Sequence, residues 1–184
     1  KLGVKTGEAI WQARIKAPGL VLVPPDYRKY IRFSKLCRQI YGEYTDQVES
    51  FGLDECWLDL TGSLSMLRSE LITIANIIRN RVKTELGITV SVGVSFNKIF
   101  AKLGSDLRKP DATTVIPYES FREIVWPLPV SDLLYVGPAT TRKLQLVAVN
   151  TIGDLARFDR ELIQRKLGKM GLVLHDFANG LGTA

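Results

Sequence analysis

Two adjacent carboxylates, Asp54 and Glu55, stand in the stretch Glu49-Ser50-Phe51-Gly52-Leu53-Asp54-Glu55-Cys56-Trp57-Leu58-Asp59-Leu60, with apolar residues on both sides. Acids in such surroundings cost free energy to ionise unless a cation or hydrogen-bond donors receive them. A divalent metal meets that need, and metals held by paired carboxylates are a general device for moving phosphoryl groups. Successive side chains on a strand point to opposite faces. A doublet can therefore serve one site only where a turn bends the chain, and Gly52 supplies the freedom for one. In isolation such a pair is more often a solvated hairpin tip. Asp59 reads as structural, an acid that takes a cation from a neighbouring helix.

Farther along, Ser91-Val92-Gly93-Val94-Ser95-Phe96-Asn97-Lys98-Ile99-Phe100-Ala101-Lys102 reads as a strand that turns into a lysine-bearing helix. Lys98, Lys102, Ser105 and Lys109 fall along one helical face, and Ile99, Phe100, Leu103 and Leu107 fill the other. Like charges on one face repel unless an anion is present, which sets this helix apart from an ordinary amphipathic one with a solvated basic face. Ser95 or Asn97 can cap its start. The residue before a proline avoids helical geometry, so Lys109, ahead of Pro110, belongs on a loop just past the helix end. Acids for metal and lysines for phosphate together point to nucleotide chemistry.

A third constellation is Leu134-Tyr135-Val136-Gly137-Pro138-Ala139-Thr140-Thr141-Arg142-Lys143-Leu144. A helix runs into a tight turn at Gly137 and out into a second helix. Free backbone N–H groups at that second start form an anion site, and Thr140, Thr141, Arg142 and Lys143 add donors. This is a helix-hairpin-helix arrangement, which holds a DNA phosphate without reading bases. A weaker second hairpin falls at Leu167-Gly168-Lys169-Met170-Gly171. Plain helical hairpins are the competing account of both.

The elements that must position these groups follow from periodicity and punctuation. Residues 6–16 predict a helix stopped by Pro18-Gly19, and 20–23 a short strand ended by Pro24-Pro25. Asp26 caps a helix over 27–44, with Phe33, Leu36, Cys37, Ile40, Tyr41 and Tyr44 on one face. Residues 48–51 and 56–60 are the hairpin strands. Leu64, Leu67, Leu71, Ile74, Ile78 and Val82 stripe a long helix over 64–86, closed by Gly87. Residues 88–95 form a strand, 97–107 a helix and 113–116 a closing strand. The order implies an α+β fold of helices on a mixed or antiparallel sheet. Pro127 and Pro129 mark a linker, with a domain boundary near 117–130. Only short helices follow, over 131–134, 139–147, 151–156, 159–166 and 171–179.

Composition sets outer limits. The 184 residues are 46% hydrophobic and 24% charged, ordinary values for a globular chain with room for one medium domain or two small ones. A net charge of +6, concentrated in residues 1–117, favours a polyanionic partner. The apolar runs are far shorter than a membrane span, and with no signal peptide the default is a soluble intracellular protein. Cys37 and Cys56, the only cysteines, read as free thiols. No Cys/His cluster exists for structural zinc. His175, the only histidine, lies in a helical stretch without a nucleophile motif, which excludes a His-dependent triad.

In combination these residues resemble the Y-family DNA polymerases, the translesion enzymes. The resemblance rests on Gly3-Val4-Lys5-Thr6-Gly7, on Leu53 to Thr61, on Ser91 to Asp106, on Lys109-Pro110-Asp111 and on the turn at Val136-Gly137, in order across nearly the whole chain. The second and third segments are specific to the family; the first and last are weak alone. The resemblance implies a polymerase palm-like sheet with packed helices, followed by a small all-α helix-hairpin-helix thumb. Residues 1–25 would be a remnant of the fingers, 26–117 a partial palm and 118–184 the thumb.

The activity implied is template-directed transfer of a nucleotide from a dNTP to a primer 3′ hydroxyl, with two Mg2+ ions. Asp54 and Glu55 match the palm acids that ligate them. Lys109 matches the lysine on the triphosphate, with Lys102 and Lys98 in support. Val136, Gly137, Ala139, Thr141, Arg142, Gly168 and Lys169 would hold the duplex by its phosphates. The partners implied are primer-template DNA, a dNTP and, for the intact protein, a sliding clamp, in bacterial cytoplasm at the nucleoid and away from membranes.

By the same resemblance the first metal acid, the aromatic gate against ribonucleotides and a Tyr/Arg pair for the triphosphate precede Lys1, and a little-finger domain follows Ala184. The chain alone is then expected not to polymerise DNA. A palm sheet without its first strand is expected to be weakened or to self-associate. Many members have Ser at the position of Gly52 and Gly at that of Tyr135. Two other classes compete. One is a non-catalytic helix-hairpin-helix DNA-binding module. The other is a nucleotide cyclase, whose Gly-Gly before the acids is replaced here by Phe51-Gly52-Leu53.

Overall fold

The computed structural model describes residues 2–63 and 70–182. Its helices are α1 (Ile10–Lys16), α2 (Tyr27–Gly42), α3 (Leu71–Leu86), α4 (Lys98–Leu107), α5 (Phe121–Val125), α6 (Pro138–Gln145), α7 (Ile152–Arg157), α8 (Arg160–Leu167) and α9 (Lys169–Ala178). Its strands are β1 (Val48–Phe51), β2 (Glu55–Leu58), β3 (Val92–Ser95) and β4 (Thr113–Ile116). Local chemistry sets several boundaries. Asp26 accepts from the Lys29 N–H at 3.0 Å and opens α2. Asn97, not Ser95, caps α4 by accepting from the Phe100 N–H at 2.8 Å; the Ser95 hydroxyl donates instead to the Ile116 carbonyl. Gly87 ends α3 at φ 69°, a left-handed conformation that costs glycine little. Leu64 and Leu67 of the predicted stripe lie outside the described residues.

The strands form two sheets rather than one. β1 and β2 pair antiparallel from Val48↔Leu58 to Phe51↔Glu55. β3 and β4 pair in parallel from Val92↔Thr113 to Ser95↔Ile116. Among the described residues no ladder joins the two sheets. They are bridged by α4, which lies on β3 and β4 and reaches β2 through side chains. The approach of α4 to β3 is close enough that a Cβ on Gly93 would stand 1.8 Å from the Ala101 carbonyl oxygen.

Four expectations are corrected. Residues 20–23 are not a strand: Val21 and Val23 are exposed, and an extended segment without a pairing partner leaves its backbone to water. The strand predicted over 88–95 keeps ladder pairing only from Val92, while Ile88 and Val90 pack around Cys37, Ile40 and Val82. No element is predicted between 117 and 127, yet α5 forms there with Phe121 and Val125 buried; Pro127 and Pro129 follow it in a loop, as expected. The first arm of the Gly137 turn is one 3-10 turn, Val130–Asp132, not a helix over 131–134. A single apolar core joins Ile99, Phe100, Leu103 and Ile116 to Phe121, Leu144, Ile152, Ile163 and Leu174, so α4 is anchored to the C-terminal helices.

Candidate active site

The hairpin closes at the Phe51↔Glu55 pair, which leaves Gly52, Leu53 and Asp54 as its loop. Gly52 takes φ 75°, a left-handed bend that turns the chain just ahead of the doublet. Asp54 is exposed at the tip and Glu55 is half-buried at the start of β2. Directly paired residues share a face, so Glu49, Phe51, Glu55 and Trp57 form one side of the hairpin. That side meets α4. The Trp57 indole N–H donates to the Lys98 carbonyl at 3.0 Å, its ring stacks with Phe51 at 4.6 Å between centroids, and Lys98 lies over it while pairing with Glu49.

One turn on, the Lys102 ammonium lies 3.2 Å from Glu55 Oε1 and also pairs with Asp106. Asp106 in turn accepts from the Lys109 ammonium at 2.6 Å. Glu55, Lys102, Asp106 and Lys109 thus form a continuous chain of alternating charge. The anions that relieve the lysine face of α4 are the protein's own carboxylates. Burial works against the charge on Lys102, but Asp106 and Glu55 outweigh it and hold the ammonium above its ordinary pKa. Burial also opposes ionisation of Asp106, yet Lys102 and Lys109 hold that carboxyl below the usual aspartate value.

Lys109 lies past the end of α4, as the proline rule requires. Its loop is pinned by Asp111, whose backbone carbonyl and carboxylate both accept from Arg79 at 2.7 Å and whose second oxygen pairs with Lys83. Those cations hold the Asp111 carboxyl below its ordinary pKa, Lys83 foremost and Arg79 next. Asp59 is structural, though its direct partner is the Thr61 N–H at 2.9 Å rather than a cation; Thr61 lowers its pKa most, with a smaller contribution from Lys98. Glu49, Asp106 and Asp111 are charge partners signalled in sequence only indirectly: Lys102 and Lys109 stand four and three residues from Asp106, and Asp111 closes the Lys109-Pro110-Asp111 segment.

The donor set suits a hard cation. Mg2+ binds through one or two carboxylates and fills its remaining positions with water and phosphate oxygens. Asp54 and Glu55 offer that pair, and among the described residues no three metal-ligating side chains gather into a closed cage. They fit an open Mg2+ site and not an all-protein one. Two clefts among the described residues lie elsewhere. One, of about 400 Å³, is apolar and lined by Leu71, Val94, Phe96, Val115 and Tyr118. The other, of about 470 Å³, includes Glu43, Asp46 and Asp59. Neither contains the doublet, and the site is placed by its charge chemistry rather than by concavity.

The second cationic region is helical. Pro138 opens α6, and the first helical bond runs from the Thr141 N–H to the Gly137 carbonyl at 2.9 Å. The N–H groups of Ala139 and Thr140 therefore precede the helix ladder. The Thr141 hydroxyl also returns to the Gly137 carbonyl, so it supports the turn instead of standing as a free donor. Val136 is buried, and its N–H is already bonded to the Leu133 carbonyl at 3.0 Å. Tyr135 takes φ 68°, a strained conformation for a bulky residue. Arg142 and Lys143 are exposed on α6, as is Lys169 on α9. The hairpin at Gly168 is tight: α8 and α9 pack so closely that a Cβ on Gly171 would lie 2.5 Å from the Ile163 carbonyl oxygen. His175, on α9, contacts Arg160, which pairs with Asp176. Cys37 and Cys56 are free.

Comparison with known proteins places this geometry in context. The family described as IMS: impB/mucB/samB family matches residues 1–106. The chain is 58% identical over 184 residues to a DNA polymerase IV of Acetivibrio thermocellus, covering all of this chain and 46% of that protein. It is 40% identical over 181 residues to a DNA polymerase IV of Ralstonia nicotianae, covering 98% of this chain and 50% of that one. The chain thus spans about half the length of these curated relatives. Among solved structures, DinB from Sulfolobus solfataricus superposes with a TM-score of 0.88 at 26% identity, over 100% of this chain and 54% of that one. An insertion ternary complex of Dbh DNA polymerase gives 0.87 at 26%, with the same coverage.

Proposed function

The chain belongs to the IMS (impB/mucB/samB) family, the Y-family polymerases its motifs resemble, and from that premise we propose that it supplies the acid-bearing palm and the thumb of a translesion DNA polymerase. The carrying observation is the 3.2 Å contact between Glu55 and Lys102, continued through Asp106 to Lys109. It joins the acidic doublet and the lysine face into one surface.

Asp54 and Glu55 would hold Mg2+, two ions in the whole enzyme, which when bound would acidify the primer 3′ hydroxyl and stabilise polyphosphate charge. Lys102, anchored between Glu55 and Asp106, keeps the doublet from repelling itself apart and keeps a positive charge beside the phosphates. Lys109, on its pinned loop, exchanges Asp106 for an oxygen of the incoming triphosphate, as a point charge suited to phosphate. Arg142, Lys169 and the amides at the starts of α6 and α9 hold the duplex through its backbone, indifferent to sequence. Residues 1–25, 26–117 and 118–184 correspond to part of the fingers, to the palm and to the thumb. The whole enzyme acts on primer-template DNA with dNTPs at the bacterial nucleoid and engages a sliding clamp.

The test is primer extension by the full-length protein with Mg2+ and all four dNTPs. Asp54→Ala and Glu55→Ala abolish extension, while Lys109→Ala raises KM for dNTP. Extension that survives loss of both acids refutes the assignment. DNA binding that falls with salt but ignores the doublet, with no extension by the wild type, would favour the non-catalytic helix-hairpin-helix module.

A further inference from the structure

The hairpin tip is held from outside by two side chains of α2. The Ser34 hydroxyl donates to the Leu53 carbonyl, and Arg38 donates through Nη2 to the Gly52 carbonyl at 3.2 Å. Four residues apart, they project from the same helical face and take two consecutive carbonyls of the loop. The β1–β2 ladder ends at Phe51↔Glu55, so it orients Glu55 but does not reach Asp54. The Leu53 carbonyl and the Asp54 N–H share one planar peptide unit. Ser34 therefore fixes the plane from which Asp54 departs, and Arg38 fixes the plane before it, next to the left-handed Gly52. Among the described residues, Arg38 Nε is buried without a hydrogen-bond partner. A buried donor left in that state costs stability, which argues that the guanidinium is kept for its reach to Gly52 and not for the packing it adds.

We propose that Ser34 and Arg38 are positioning residues that lock the Gly52 and Leu53 peptide planes, so that the neighbouring Asp54 and Glu55 carboxylates address one divalent cation. This rests on the metal-binding role of the doublet given above, and the test separates the two. In the full-length protein, Mn2+ binding is followed by electron paramagnetic resonance of the free ion, alongside a thermal melt of each variant. The double variant Asp54→Asn, Glu55→Gln defines the share of binding that belongs to the doublet. Ser34→Ala and Arg38→Gln each raise the Kd of that share by several-fold, up to about tenfold, the usual yield of one lost hydrogen bond. Ser34→Thr, which keeps the hydroxyl, restores it.

Unchanged Mn2+ affinity in folded Ser34→Ala and Arg38→Gln overturns the positioning role even if their melting temperatures fall, because a purely structural contact would move only the melt. If Ser34→Ala does not fold, Arg38→Lys decides: it keeps the charge without the fork that reaches Gly52, and wild-type affinity there also overturns the proposal. If the wild type and the doublet variant bind Mn2+ alike, the metal-binding role of the doublet fails, and the positioning role fails with it.

Discussion

Gly93 is the position where a single methyl group should reach the active site through the scaffold. Its Cβ would lie 1.8 Å from the Ala101 oxygen and 2.6 Å from the Ser105 nitrogen, both backbone atoms of α4. An ordinary carbon–oxygen contact begins at about 3.3 Å, so α4 would have to retreat by roughly 1.5 Å. That helix is held on its inner side by Ile99, Phe100 and Leu103, exposed by only 0%, 0% and 3%. A retreat therefore breaks close packing along the whole helix. Overpacking usually costs about 1–3 kcal/mol. Backbone rather than a rotatable side chain must yield here, so Gly93→Ala is expected to cost at least about 3 kcal/mol, a fall of roughly 6–12 °C in the Tm of a folding unit of about 150–250 residues. The same displacement carries Lys102 away from Glu55 and lowers polymerase activity in the molecules that remain folded. Thermal unfolding of the full-length protein, with Gly42→Ala as a control that meets nothing within 4 Å, makes the comparison. A Gly93→Ala protein that melts within about 2 °C of wild type, with full activity, would refute the close docking of α4 on β3.

Lys102→Met leaves Glu55 and Asp106 facing each other without their shared cation, at an expected cost of about 1 kcal/mol after allowing for their exposure; urea unfolding measures it. Because the Asp106 pKa is lowered in the fold, its part of that difference is present above the ordinary aspartate value and disappears as pH falls through the lowered one. Because the Lys102 pKa is raised, its part persists up to the ordinary lysine value and disappears as pH rises through the raised one. A gap between wild type and variant that widens in acid would contradict this sign. Thr151→Ala removes the capping box in which Thr151 accepts from the Asp154 N–H at 3.0 Å and Asp154 accepts from the Thr151 N–H at 2.9 Å; a loss of about 1 kcal/mol, with faster amide exchange in α7, is expected. Gly168 sits at φ 67° and ψ −151°, a region open essentially to glycine. Gly168→Ala should cost about 1–3 kcal/mol and weaken DNA binding by splaying α8 from α9, whereas Gly137→Ala, at φ −81°, should leave stability nearly unchanged.

Much of the local structure was legible because its causes are local. Asp26 and Asn97 cap the helices that follow them, Gly87 ends α3, and Lys109 falls past the end of α4, all through interactions within four residues. The hairpin around Asp54 and Glu55 follows from alternating apolar residues broken by Gly52. The misreadings came where a segment's state depends on something distant. Residues 20–23 have strand composition but no partner. Phe121–Val125 becomes helical against a core supplied partly by α4. Pro127 and Pro129 do lie in a loop, with Leu128 packed on that core and Val130 buried in it.

Residue types and their spacing are enough to reveal which groups are chemically equipped: a carboxylate doublet on a glycine bend, lysines along one helical face, and a Gly-Pro helix start beside Arg142 and Lys143. Their coupling emerges only when the elements pack. Glu49 meets Lys98, Glu55 meets Lys102, and Asp111 meets Arg79 across separations of 32 to 49 residues. Charge acts through distance in space, and that distance is set here by α4 pressing on a strand at Gly93, which no reading of neighbouring residues can measure.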